Sequence, residues 1–306
     1  NIPCMKYQIL LLLLIFSVSC EKADQDQSPE FFRELTDGFC LVFGDSLAIT
    51  HTQINYYDLS THIIYLKDEH ELFSEDHNWD AAFTNFAVYA DRDSIYSGAL
   101  WPMWSSSIYE GPCIQWPSFL PPYAIQISAG YPGFYDIPKP VDDPRRDPKI
   151  LEALEKYDQL KNGLSCSLDQ IEVQEGGGLS FTFTVTNLDE INYYILSPDR
   201  MGRDLFHYFT NGLFLLSENQ AALQHRCQVE EPEPWDSWLS SWFEVLEGKK
   251  SKSFFIEYSD FDPIPEGSYE ASFMFPGLSH VKIGEIHRTN GRIWLGGIRA
   301  SSEITF

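Results

Sequence analysis

Between Leu179 and Asn187 the sequence LSFTFTVTN alternates strictly: Phe181, Phe183 and Val185 fall on one face, and Ser180, Thr182, Thr184 and Thr186 on the other. A period of two with one apolar face is the pattern of a half-buried antiparallel strand. The same period returns in SYEASFMF, through Tyr269, Ala271, Phe273 and Phe275, and in KSFFIEY, through Phe254, Ile256 and Tyr258. Gly176-Gly177-Gly178 and Pro265-Glu266-Gly267 punctuate these runs as turns. Residues 164–306 are therefore expected to form roughly seven short strands and no helix beyond a turn or two, an antiparallel β-sandwich of immunoglobulin-like type. Cys166 and Cys227 do not flank a core Trp in the antibody arrangement, so the expectation rests on periodicity alone.

Residues 31–163 read differently. INYYDLSTHIIYLKDE and FAVYADRDSIYSGALW suggest strand pairs, and DPKILEALEKYDQLKNG suggests one helix closing the segment. Asp147 suits its cap, Pro148 its first turn and Gly163 the position past its end. Ile150, Leu151, Leu154 and Tyr157 would form its apolar stripe. A small α+β domain is the expected class here, giving a mainly β protein overall.

The N-terminus has a different logic. One Lys, an unbroken apolar run from Ile9 to Phe16 and small residues before Cys20 have the anatomy of a secretory signal spanning residues 1–19, with Met5 as its natural start. The run is shorter than the ~20 residues of a bilayer-spanning helix. Cys20 follows Ser17, Val18 and Ser19 in an arrangement that resembles a bacterial lipobox, although Ser17 stands where Leu is usual. The resemblance implies a lipidated Cys20 and anchoring to the outer membrane, on its surface or its periplasmic side. Residues 20–30 are polar and acidic and read as a flexible tether.

Charge narrows the partners. Forty-five acidic residues against 21 basic ones give a net charge of -24, which repels phosphate backbones and argues against nucleic acid. Neutral glycans and proteins remain compatible. In an oxidising compartment Cys40, Cys113, Cys166 and Cys227 permit three complete pairings, and spacing does not choose among them.

Several segments carry candidate chemistry. Trp101, Trp104 and Trp116 stand near Pro102, Pro112, Pro117 and the Pro121-Pro122 pair, and Trp235, Trp238 and Trp242 lie in EEPEPWDSWLSSW. Indoles on Pro-stiffened loops supply stacking area at low entropic cost, so Trp101, Trp104, Trp235 and Trp238 are the candidate ligand-binding residues. KDEHELFSEDHNWD gathers Asp68, Glu69, His70, Glu71, Glu75, Asp76, His77 and Asp80, but without EF-hand or His-Glu-x-x-His spacing it reads as a solvated acidic loop, with no metal assigned. No nucleotide-binding glycine loop or zinc spacing occurs, so no cofactor is expected.

Two resemblances extend the reading. FTVTNLDEINYYILSPDRMG, FTNGLFLL, VEEPEPWDSW, IPEGSYEASFMFPGL and GRIWLGGIRASSEITF resemble the C-terminal immunoglobulin-like domain of Bacteroidetes-type surface lipoproteins. That likeness implies a non-catalytic envelope module; the same strand order is distantly similar to sandwich-type secreted proteinase inhibitors. Separately, Gly44-Asp45-Ser46-Leu47 resembles the nucleophile block of GDSL esterases, and Asp204-Leu205-Phe206-His207 has the Asp-x-x-His spacing of their other triad members. The resemblance implies Ser46 as nucleophile, with Asp204 and His207 activating it. The Gly-x-Asn-Asp block and the alternating α/β pattern of that family are missing, so binding is the favoured reading and the esterase its alternative.

Overall fold

The computed structural model describes residues 37–44, 47–70, 73, 85–105, 107, 109–130, 142–174, 176–217, 221–288 and 290–306. With 46% strand and 13% helix the protein is mainly β, built from several antiparallel sheets. The expected signal, Cys20 and the tether lie outside the described residues. Among the described residues no helix is long and apolar enough to cross a membrane.

The first stretch runs β1 (Phe39–Phe43), β2 (Leu47–Ile49), β3 (Ile54–Asp58), β4 (Ile63–Leu66), β5 (Asn85–Ala90), β6 (Asp93–Pro102), β7 (Cys113–Trp116) and β8 (Ala124–Gln126). Helix α1 (Pro148–Lys156) and β9 (Leu160–Lys161) complete it. One sheet has the order β2-β1-β5-β6-β7 and a second the order β8-β4-β3-β9. Both expected strand pairs form, as the antiparallel hairpins β3–β4 and β5–β6. The second turns on Asp91 and Arg92, at φ 45° and 81°, the left-handed pair that a two-residue hairpin needs.

Helix α1 starts as expected. Asp147 accepts the Lys149 N–H at 2.9 Å, Pro148 occupies the first turn, and Ile150, Ala153 and Leu154 are buried. It ends at Lys156 rather than continuing toward Gly163. Asp158 turns left-handed at φ 54°, and the chain then leaves the helix to pair with β3, where Tyr57 donates its N–H to the Gln159 carbonyl at 2.7 Å. Tertiary pairing overrides helix propensity here. Gly163 is consequently no helix cap.

The second stretch contains β10 (Leu164–Val173), β11 (Leu179–Asn187), β12 (Asn192–Leu196), helices α2 (Pro198–Met201) and α3 (Arg203–Phe209), β13 (Leu213–Ser217) and β14 (Ala222–Gln224). It continues with β15 (Phe243–Leu246), β16 (Ser251–Tyr258), β17 (Ser268–Phe275), helix α4 (Ile283–Ile286), β18 (His287–Arg288), β19 (Gly291–Ile293) and β20 (Ile298–Thr305). These are eleven strands among the described residues against the roughly seven expected. The surplus is pieces such as β14, β18 and β19, too short for a period to register.

The three alternating runs become β11, β16 and β17, each with the expected residues inward. Sheet β10-β11-β16 faces sheet β14-β13-β17-β20 through aromatic rings: Phe273 meets Phe181 at 5.3 Å and Phe183 at 4.6 Å between centroids. A third sheet, β15-β12-β19-β18, completes this part. The four cysteines Cys40, Cys113, Cys166 and Cys227 are free thiols.

Buried residues of both stretches join in one core cluster. At the junction Gly163, at φ +74°, places its α-carbon where a Cβ would sit 2.4 Å from Asp58 Oδ1. Asp189, almost fully buried, accepts the N–H groups of Asn162 and Gly163 at 2.8 and 2.9 Å and the Tyr193 hydroxyl at 2.8 Å. Asp58 accepts from Ser60 N–H, Ser60 Oγ and Thr61 N–H through one oxygen. Burial nevertheless pushes its carboxyl up to about 6.

Candidate functional site

Where the two stretches meet, a groove of about 650 Å³ opens. One wall is the Trp116–Pro122 loop that follows β7; the other is the Ser279–Lys282 segment before α4, with Trp235 and Asp236 at the rim. Trp116 and Phe73 are buried at its base, whereas Phe119 and Trp235 are 71% and 62% exposed. Large apolar rings left this open within one concavity are the unusual feature, because single exposed hydrophobes need no explanation and grouped ones do.

Local chemistry sets the walls. Pro117, Pro121 and Pro122 restrict the loop, Ser118 Oγ accepts the Leu120 N–H at 3.0 Å to form a tight turn, and the Met103 N–H is donated to the Trp116 carbonyl at 2.7 Å. The opposite wall is fixed to the first by the buried Tyr123 hydroxyl, which donates to the Val281 carbonyl at 2.6 Å. The His280 ring stands edge-on to the Trp235 indole, with centroids 4.9 Å apart and planes at 89°, and its Nδ1 is 3.0 Å from Ser279 Oγ. Ser237 holds the Trp235 turn by donating N–H and Oγ to the Pro234 carbonyl. Glu69, Asp236 and Lys282 add charge of both signs to the lining.

Of the four candidate tryptophans, Trp235 alone lines this groove. Trp104 is 74% exposed, and Trp101 is half-buried in a stack on Tyr109 with centroids 5.2 Å apart. Trp238 is half-buried, edge-on to Phe243 at 5.4 Å with the Arg288 guanidinium over its face. The structure thus brings Trp235 together with Phe119 and His280 in the groove and leaves Trp101, Trp104 and Trp238 outside it. Phe119 lies in WPSFLPPY, where an aromatic bracketed by prolines is a usable signal; nothing local marks His280.

The esterase constellation is not assembled among the described residues, and Ser46 lies outside them. Asp204 holds Arg203 at 2.8 Å, and both ring nitrogens of the buried His207 lack a hydrogen-bond partner, so Asp204 does not orient that ring. Burial first, then His225 and Arg203, hold the His207 pKa down at about 4. Of the acidic loop, Asp68, Glu69 and His70 are described, while Glu71, Glu75, Asp76, His77 and Asp80 lie outside. Among the described residues no three His, Cys, Asp or Glu side chains are grouped to hold a metal ion.

No family model matches the chain, and neither a curated protein nor a solved structure does.

Proposed function

We propose that this is an envelope protein, lipid-anchored through Cys20, that works by binding a neutral glycan rather than by catalysis. In this reading residues 1–19 are a secretory signal, residues 20–30 a tether to the outer membrane, and the facing sheets of the second stretch an immunoglobulin-like sandwich. The resemblance to Bacteroidetes-type surface lipoproteins belongs to the same reading.

The observation that carries the proposal is the groove in which Phe119 and Trp235 are both exposed. Sugar rings present C–H faces that stack on aromatic side chains, and their hydroxyls find donors and acceptors in Ser118, Ser279, His280 and Asp236 along the lining. A chain of net charge -24 repels polyanions, so an uncharged ligand is the electrostatically open choice over an acidic one. A protein ligand is the second reading, because the same exposed rings suit a protein hot spot.

A neutral-oligosaccharide array tests the function, with Trp235→Ala and Phe119→Ala as variants and Trp104→Ala as control. Loss of binding in the first two and retention in the third is expected. Absence of any binding by the parent protein refutes the glycan reading. Labelled fatty acid incorporation compared with Cys20→Ala tests the anchor, and equal labelling of both excludes it.

A further inference from the structure

Outside the groove lining lies a group of titratable rings that binding at Trp235 does not use. His207 at the end of α3, His225 just after β14 and Tyr258 at the end of β16 stack on one another. Their centroids are 4.5 Å apart for His207–His225 and 4.8 Å for His225–Tyr258. His207 is 3% exposed, and neither of its ring nitrogens has a partner; His225 Nδ1 also has none, while the His225 ring bonds the Asn211 backbone. A neutral His207 already buries an unpaired N–H and an unpaired lone pair, so the pocket offers a second positive charge nothing to hold.

Among the described residues the charged and titratable groups acting on both rings are Arg203 and Asp204. From α3, Arg203 and Asp204 face both histidines, the first disfavouring and the second favouring their protonation. Asp204 is already engaged by Arg203. Tyr258 is buried and spends its hydroxyl on the Leu213 N–H, and Cys227 lies near Arg203 and Tyr258. Two imidazolium rings at stacking distance beside Arg203 would repel each other with one occupied carboxylate to offset them.

The stack sits at the root of a strap. Residues 226–238 have no regular secondary structure and carry Trp235 to the groove. The strap is tied by Arg226 N–H to the Asp260 carbonyl at 3.0 Å, by Arg226 to the Asp262 carboxylate, and by Glu230 N–H to the Asp204 carbonyl at 2.9 Å. Asp204 belongs to the same helix as His207, so displacing α3 from His225 breaks the Glu230 tie directly.

We infer that the stacked pair His207 and His225 is an acid-triggered clamp: protonation separates the rings, frees the strap at Glu230, and withdraws Trp235 from the groove. The regulatory part rests on the groove being the binding site; the clamp itself does not. The sign follows from burial. Both rings are held neutral below the ordinary value of 6.5, so the stability of the closed stack is present above 6.5 and is lost as pH falls, through about 4 for His207.

Hydrogen exchange of the full chain without any ligand tests the clamp, with rates corrected for intrinsic pH dependence. Peptides covering residues 222–238 should exchange at least about tenfold faster at pH 4 than at pH 7, while β3 and β4 change little. In the double variant His207→Phe, His225→Phe, which keeps ring packing without the charge, the acid response of the strap should vanish. A strap indifferent to pH in the parent protein, or an acid response that survives in the double variant, overturns the inference. Should the variant fold poorly, histidine ring-proton titration of the parent decides instead: two resonances moving together with strap opening support the clamp, and ordinary midpoints near 6.5 for both refute it. Oligosaccharide binding that falls with acid in the parent but not in the double variant would then join clamp to groove. An array with no binders leaves the exchange result standing and removes only the functional reading.

Discussion

The hydroxyl of Tyr123 donates a 2.6 Å hydrogen bond to the backbone carbonyl of Val281, 158 positions further along the chain. Tyr123 is 1% exposed and Val281 2% exposed, so water cannot replace either partner. Tyr123→Phe should therefore leave a buried carbonyl unsatisfied and cost about 1–3 kcal/mol. Chemical denaturation measures it, and because both stretches share a core, a single transition should move as a unit. A loss under roughly 0.5 kcal/mol would show that the bond contributes little to joining the two stretches.

Asp58 gives a pH prediction of definite sign. Its folded pKa, about 6, lies above the ordinary 3.8, so its contribution is fully present below 3.8 and is lost as pH rises through 6. Asp58→Asn keeps one oxygen for the three donors of Ser60 and Thr61 and removes the charge. Relative to the variant, the parent protein should gain up to about 3 kcal/mol between pH 7 and pH 4. Parallel stability curves for the two proteins over that range would contradict this. The effect opposes that of the histidine stack, so the two have to be separated by variant rather than by pH alone.

Gly163→Ala should be severe for a reason that has nothing to do with helix ends. The position needs φ +74°, and the added methyl would lie 2.4 Å from both Asp58 Oδ1 and Ser60 Oγ. Strain and overlap together should cost roughly 2–4 kcal/mol by thermal or chemical unfolding. Gly284→Ala, where nothing lies within 4 Å, is the matched control and should be tolerated.

The thiols should separate by reactivity. Cys40 and Cys113 are fully buried, and burial pushes the thiols of Cys40, Cys113 and Cys166 up to about 12. Under native conditions a thiol reagent at pH 8 should modify Cys227 before these three, with the order read by mass spectrometry. Rapid modification of Cys40 or Cys113 would mean that their strands open in the native state.

Strand identity was legible because Phe181, Phe183 and Val185 repeat at the period of a pleated strand, which is local information. The end of α1 was not, since the chain turns out of the helix at Asp158 so that the Gln159 carbonyl can accept the N–H of Tyr57, about a hundred residues upstream. Gly163 looked like a helix cap because the local pattern was right, yet the constraint on it comes from Asp58 across the junction. The same distinction governs the groove. Aromatic residues on Pro-braced loops mark Trp235 and Trp104 as a type of surface, but that Trp235 meets His280 and shares a groove with Phe119 is decided by how the two stretches pack, which no window of sequence contains.

The parallel pairing of β3 with β9, which sets Tyr57 beside Leu160, has a consequence for the order of assembly. A chain emerging from the ribosome cannot complete the β8-β4-β3-β9 sheet until residue 161 is available, and cannot close Tyr123 onto Val281 until nearly all of it has been made. Such distant closures carry their entropic cost before any contact offsets it, and none can begin before its later partner has been made. The loop carrying Tyr123 therefore reaches its final anchorage only after the residues around 281 have been made, whereas hairpins such as β3–β4 need no distant partner.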